Sequence, residues 1–225
     1  MNCQAASSDS APKAGNATQV ISVVGDGGSS AKIDVFQRTA NYVTPTEGGP
    51  IDAGRMADLR KDPQVIREAL RETYGGNQPL GIGEYRYTEL DENGREEALR
   101  AAWDGRYPAL AFRDAHTPEA NAAISDYIRK KMQEVVNDPW TAHHLTPWDH
   151  PYGGKRPCRS DVYLRTFNLP HVHLVPLTET PIERIVPNGI VTSKEAIELD
   201  VIVYATGFDA ISGAVFAIDI TGIGG

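Results

Sequence analysis

Cysteine is nearly absent from this chain, with Cys3 and Cys158 the only two among 225 residues. Two cysteines, one of them in a polar N-terminal stretch, cannot staple a small secreted fold, and their scarcity suits a reducing cytosol. Long apolar runs are missing as well. Stretches such as Val201-Ile202-Val203-Tyr204-Ala205 fall far short of the roughly 20 residues that cross a bilayer as a helix. No basic segment followed by an apolar one opens the chain, so no secretory leader is expected. Positive charge is also in short supply: 22 Lys and Arg stand against 30 Asp and Glu, a net charge of −8. General affinity for nucleic acid or anionic membrane, which Lys and Arg lead, is excluded, while a local pocket for one phosphate is not. Metal motifs are lacking too. His143, His144, His150, His171 and His173 make no His-Glu-x-x-His pattern and no Cys–His cluster, so no metal site is expected. No Gly-x-Ser-x-Gly elbow supports a serine nucleophile.

What remains is ordinary globular composition, 40% hydrophobic and 23% charged, in a chain long enough for one good-sized domain or two small ones. Residues 1–19 are polar and without hydrophobic periodicity, and are expected to be a disordered tail. Val20 to Val24 reads as a buried β-branched strand stopped by Gly25, and Ile33 to Gln37 as a second. Helices are expected over Gln64–Tyr74 and Glu96–Trp103. The clearest runs from Pro118 to Val136, with Thr117 as its cap and Ile124, Ile128, Met132 and Val135–Val136 as its apolar stripe. After a Pro-, Gly- and His-rich loop at 143–157 the pattern turns to strands: Val172–Leu177, then Ile182–Val186 and Ile190–Thr192 around the turn Pro187-Asn188-Gly189. Leu199 to Ala205 is nearly all apolar, as a strand buried on both faces would be. The whole reads as an α/β fold.

Gly25-Asp26-Gly27-Gly28-Ser29-Ser30 matches the dinucleotide spacing G-x-G-x-x-G except that Ser30 holds the third position. Such glycines let backbone approach a pyrophosphate, although a plain turn is the better explanation of them taken alone. Only Ala31 and Lys32 follow before the strand at Ile33. A parallel crossover needs a dozen or so residues, so the expectation is an antiparallel pair or a missing crossover helix. Arg38 and Thr39 follow the second strand, where a cation accommodates the 2′-phosphate of NADP. Lys155-Arg156 lies beyond Gly153-Gly154, where two adjacent cations can meet an anionic ligand. Tyr204-Ala205-Thr206-Gly207-Phe208-Asp209 ends the last strand in a small-residue turn that packs closely against some neighbour.

Taken together these segments resemble the Baeyer–Villiger monooxygenases, a branch of the flavin-containing monooxygenases. The resemblance runs over about residues 20–225, through Val35-Phe36-Gln37-Arg38-Thr39-Ala40-Asn41-Tyr42 (Ala40 replacing the usual Pro), His150-Pro151-Tyr152-Gly153-Gly154-Lys155-Arg156-Pro157, Thr166-Phe167-Asn168 and Glu198 to Ala210. It implies FAD and NADP as cofactors and a small ketone and dioxygen as substrates. The ketone becomes an ester or lactone through a flavin peroxide; S- or N-oxygenation is the alternative chemistry, and NADP binding without turnover the alternative role. By position, Arg156 matches the active-site arginine, Lys155, Arg38 and Thr39 match groups near the NADP 2′-phosphate, Gly25 and Gly27 match the pyrophosphate turn, and Thr206, Gly207 and Asp209 match the segment returning towards the flavin. The family's flavin-binding glycine motif and its F-x-G-x-x-x-H-x-x-x-W fingerprint are not found in the 225 residues. The resemblance therefore implies a fragment that is inactive by itself. It divides into a tail at 1–19, an incomplete Rossmann-like NADP-binding domain at 20–205 with a helical insertion at about 55–150, and a linker beginning a truncated FAD-domain segment at 206–225.

Overall fold

The computed structural model describes residues 3–6, 18, 20–21, 32–46, 53–72, 83–205, 218–219 and 221–223. In chain order the elements are β1 (Cys3–Ala6), β2 (Ile33–Gln37), β3 (Val43–Thr44), α1 (Ala53–Lys61), α2 (Pro63–Arg71), α3 (Glu92–Asp104), α4 (Pro118–Val135), α5 (Pro139–Leu145), β4 (Cys158–Arg159), α6 (Tyr163–Thr166), β5 (Val172–Pro176), β6 (Ile182–Val186), β7 (Gly189–Thr192), β8 (Ala196–Glu198) and β9 (Val201–Tyr204). The mixed α/β class expected of the sequence is the class observed.

Among the described residues the main sheet has four strands in the order β5-β2-β1-β9, and every pair in it is parallel. Numbered by appearance, that order is third, second, first, fourth, the first four positions of the doubly wound nucleotide-binding order. The side chains of β2 show why it sits inside: Ile33, Asp34, Val35 and Phe36 are all 3% exposed or less, two to each face. Ile33 and Val35 join the main core, whereas Phe36 packs with Ile190 and Ile197 of the small antiparallel sheet β6-β7-β8. Between β2 and β5 the chain makes a long excursion that carries α1 to α6.

The excursion is organised by α4. Ala120, Ile124, Ile128 and Met132 recur every fourth position and are 2% exposed or less, one stripe of a 3.6-residue helix turned wholly inward. Met132 Sδ accepts from the Val43 amide at 3.5 Å, which seats this stripe on β3. β3 in turn pairs in parallel with β4, Val43 opposite Cys158 and Thr44 opposite Arg159. Cys158 is buried in this layer, and burial pushes its thiol up.

Several expectations are corrected. Cys3–Ala6, within the segment read as disordered, is a strand held between β2 and β9. Its sequence is Cys-Gln-Ala-Ala, so hydrogen bonding on both sides decides its state against weak strand propensity. Val20 and Ile21, read as the first strand, are helical, as is Thr18. The parallel crossover judged impossible after Gly27 thus has the whole interval from Ala6 to Ile33 in which to form, and helical residues lie inside it. Gly25 and Gly27, outside the described residues, therefore do not directly follow the first strand. β9, read as buried on both faces, is an edge strand with Val201 40% and Tyr204 63% exposed. Thr117 precedes α4 without capping it; its hydroxyl donates to the Asp114 carbonyl at 3.0 Å instead.

Candidate functional site

Ligands of open parallel sheets enter outside the carboxyl ends of the strands. At that end of β2 the chain leaves the sheet through Arg38 and Thr39. The last strand residue, Gln37, reaches across with its side-chain amide and donates to the His144 carbonyl at 2.8 Å, while its own carbonyl accepts from Leu177 N at 2.7 Å. The end of α5 and the turn after β5 are thereby drawn over the strand end. Between them lies a cleft of about 370 Å³, walled by Arg38 and Thr39 on one side and by His143, His144, Trp148, Asp149 and Glu179 on the other.

The far wall is held by its own chemistry. His144 Nδ1 donates to the Trp140 carbonyl and Nε2 to Glu179 Oε1, both at 2.8 Å. An imidazole with acceptors at both nitrogens is best satisfied as the cation. Burial works against that charge, but the carbonyl and the carboxylate prevail, and the pKa of His144 is raised. The hydrogen bond from His144 is in turn the main reason that Glu179 stays below the usual carboxylate range. His143 stacks on Trp148 with ring centres 5.5 Å apart and 30° between planes, and Trp148 Nε1 donates to the His143 carbonyl at 3.0 Å. Half of Trp148 remains open to solvent at the lip of the cleft, with the Arg129 guanidinium 5.6 Å from its ring centre.

The loop bearing Lys155 and Arg156 is fixed from two directions. From α4, Arg129 donates to the carbonyls of Pro147 at 2.8 Å and His150 at 3.0 Å. One turn and two turns earlier on the same face, Ser125 Oγ accepts from Tyr152 N at 2.9 Å and Asn121 Nδ2 donates to Tyr152 O at 3.0 Å. From the strand end, Asn41 Nδ2 donates to the Arg156 carbonyl at 2.8 Å, and Cys158 N donates to the Tyr42 carbonyl at 2.8 Å. The wholly buried Tyr42 fills the angle between them, its hydroxyl donating to His150 O at 2.9 Å. The segment after Arg38–Thr39 and the loop bearing Lys155–Arg156, more than a hundred positions apart, are thus held together. Asp149, on the cleft wall, receives Lys155 Nζ at 3.0 Å through Oδ2 and His150 Nδ1 at 2.6 Å through Oδ1. Burial raises its pKa somewhat, yet these two donors outweigh it and hold the carboxyl below its usual range.

No family model matches the chain. Individual proteins do. A 2-oxo-Δ3-4,5,5-trimethylcyclopentenylacetyl-CoA monooxygenase of Pseudomonas putida is 36% identical over 209 residues, 91% of this chain and 38% of that protein. A Baeyer–Villiger monooxygenase of Pseudooceanicola batsensis is 34% identical over 203 residues, 86% of this chain and 36% of that protein. The chain is homologous to Baeyer–Villiger monooxygenases. A phenazine N-monooxygenase of Lysobacter antibioticus is 33% identical over 202 residues, covering 86% of this chain and 36% of that protein. Among solved structures, that of OTEMO in complex with FAD and NADP superposes with a TM-score of 0.87 at 32% identity, over 99% of this chain and 41% of that one. Oxidized steroid monooxygenase bound to NADP gives 0.88 at 32% identity, over 100% and 42%. The chain therefore spans between 36% and 38% of the length of these curated Baeyer–Villiger relatives and the N-monooxygenase beside them.

Of the residues singled out in the Baeyer–Villiger resemblance, Arg38 and Thr39 line the cleft and Lys155 stands against its wall through Asp149, whereas Arg156 is exposed outside the lining and is tied by its carbonyl to Asn41. Gly25, Gly27, Thr206, Gly207 and Asp209 lie outside the described residues. Sequence reading missed Gln37, Asn41, Arg129, Trp148, Asp149 and Glu179. Gln37 and Asn41 fall within the family-like stretch, and Glu179 within another, without a role following for any of them, and nothing in the spacing of the others joins them. Three of the five histidines weighed as metal ligands make other contacts: His143 stacks, His144 pairs with Glu179, and His150 braces Asp149. No helix among the described residues is long and apolar enough to cross a membrane.

Proposed function

We propose that this chain supplies the NADP-handling part of a flavin-dependent monooxygenase of Baeyer–Villiger type, and that the cleft at the end of β2 takes the 2′-phosphorylated ribose of NADP. The observation that carries this reading is the placement of Arg38 and Thr39 at the carboxyl end of the second strand, on the wall of a cleft of about 370 Å³. A strand-end cation is how dinucleotide folds accommodate the extra phosphate, and such a volume lies within the range of small-molecule sites. The Arg38 guanidinium would grip phosphate oxygens in two-pronged fashion, the Thr39 hydroxyl would donate a further hydrogen bond, and Lys155 would add a point charge. The exposed ring of Trp148, backed by His143, offers a surface on which a base can stack.

NADPH supplies hydride and FAD supplies the reaction with dioxygen that oxygenates a ketone to an ester or lactone. The part we assign to Arg156 is electrostatic: a fixed cation, tied through its backbone to Asn41, that favours negative charge developing on a nearby oxygen. Gly25 and Gly27 are assigned to the pyrophosphate, and Thr206, Gly207 and Asp209 to the approach of the chain to FAD. The test is calorimetry with NADP and NAD. NADP is expected to be preferred, and Arg38→Ala is expected to weaken NADP about 10- to 100-fold, the size of one charge-assisted pairing, with little change for NAD. Equal affinities for the two nucleotides would reject the reading.

Oxygenation of nitrogen or sulfur is a second reading, favoured by the phenazine N-monooxygenase at 33% identity. Product analysis with a cyclic ketone and an aromatic N-heterocycle separates the two. A third, NADP binding without turnover, is separated by the visible absorption of bound flavin in the purified chain.

A further inference from the structure

We infer that Asp149 is a specificity-determining residue that occupies Lys155 in place of the NADP 2′-phosphate and sets how strongly that phosphate binds. The inference rests on the reading of the cleft given above. Asp149 is the carboxylate on the cleft wall that pairs with the basic loop, its Oδ2 receiving Lys155 Nζ at 3.0 Å. Both partners are substantially exposed, 41% for the Lys155 side chain and 55% for that of Asp149, and exposed ion pairs are easily exchanged. A phosphate dianion therefore competes with this carboxylate for the same ammonium, and it must also approach a wall that is already negative.

The carboxylate cannot simply swing away when the lysine leaves. Its other oxygen is fixed by His150 Nδ1 at 2.6 Å. The His150 side chain is 8% exposed, and its Nε2 is buried without a hydrogen-bond partner. With the proton on Nδ1, that unpartnered nitrogen is a bare acceptor rather than a stranded donor. The ring is anchored further by its edge-on contact with Tyr42, with centroids 5.4 Å apart. The other acid of the wall, Glu179, is already committed to His144. Asp149 thus remains in the cleft as a standing negative charge. It lowers affinity for the 2′-phosphate specifically, and NAD, which has none, escapes it.

The test is calorimetry of NADP and NAD with the wild-type chain, Asp149→Asn, Lys155→Ala, the double variant and Arg38→Ala. Asparagine keeps the shape and can still accept from His150. Asp149→Asn is expected to tighten NADP roughly three- to tenfold, the scale of removing one exposed opposing charge, and to leave NAD unchanged. The gain should shrink in the Lys155→Ala background, because the competition is for that amine. In parallel, labelling of Lys155 by an amine-acylating reagent, read by mass spectrometry without nucleotide, should rise in Asp149→Asn. Unchanged or weaker NADP binding by Asp149→Asn, with Arg38→Ala still weakening it, overturns the role of Asp149 alone. A wild type indifferent to the 2′-phosphate, together with a silent Arg38→Ala, overturns both this inference and the reading beneath it.

Discussion

Asn41 donates its side-chain amide to the carbonyl of Arg156 at 2.8 Å across a separation of 115 positions. The same asparagine accepts from Tyr42 N at 2.8 Å, so its orientation is set from both ends. With β3 and β4 paired immediately beyond it, this contact makes the Arg38–Thr39 strand end and the Lys155–Arg156 loop one body. The cleft depends on that junction, because neither Arg38–Thr39 nor Lys155–Arg156 alone encloses a ligand.

Asn41→Ala is expected to cost about 1 kcal/mol of stability, the net worth of one partly exposed hydrogen bond. It should also loosen residues 150–157 more than the rest of the chain. Urea unfolding gives the first quantity and limited proteolysis the second. An unchanged cleavage pattern in that loop would show that β3 and β4 fix it without Asn41.

The stripe of α4 predicts a contrast within one turn. Ile128 is wholly buried in the main core, and Ile128→Ala should lose about 2–5 kcal/mol through transfer and cavity terms together. Lys130, exposed on the opposite side of the helix, should change by no more than about 0.5 kcal/mol when replaced by alanine. Denaturant unfolding with a common slope checks both.

Gly189 begins β7 at φ 154°, and a Cβ there would collide with the Ile197 carbonyl of the neighbouring strand. Gly189→Ala must push β7 away from β8 and open the seat of Phe36 against Ile190 and Ile197. The expected loss is about 1–3 kcal/mol, as for other overpacked sites, and thermal unfolding followed by circular dichroism measures it.

The pH dependence follows from His144. Its pKa is raised above the ordinary 6.5 in the folded protein, so its pairing with Glu179 stabilises fully below the unfolded value and is lost as pH rises through the folded one. The stability difference between the wild type and Glu179→Gln should therefore be largest on the acid side of 6.5 and should fade above it. A difference that grows as pH rises through 6.5 would contradict the charged pairing.

Much of this fold was legible where side-chain pattern and environment agree. α4 announced itself by its apolar stripe, and β5 by alternation around His173, which is exposed between the buried Val172 and Leu174. Cys3–Ala6 was not legible, because a strand made of Cys, Gln and Ala owes its state to neighbours on both sides rather than to its own residues. Val20 and Ile21 misled for the converse reason, being β-branched yet helical. In the cleft, Arg38 and Thr39 could be found because a strand end has a fixed meaning in a parallel sheet. Asp149 and Glu179 could not, since their places depend on how α5 and its following loop lie over that end.

The most direct measurement isolates the cleft from the rest of the cofactor. The chain is titrated with 2′,5′-ADP and, separately, with 5′-AMP, and the backbone amide shifts of Arg38, Thr39 and Lys155 are followed by NMR. The account predicts saturable shifts at all three with 2′,5′-ADP and much weaker ones with 5′-AMP. Equal responses to the two nucleotides, or shifts confined to other parts of the chain, would contradict it.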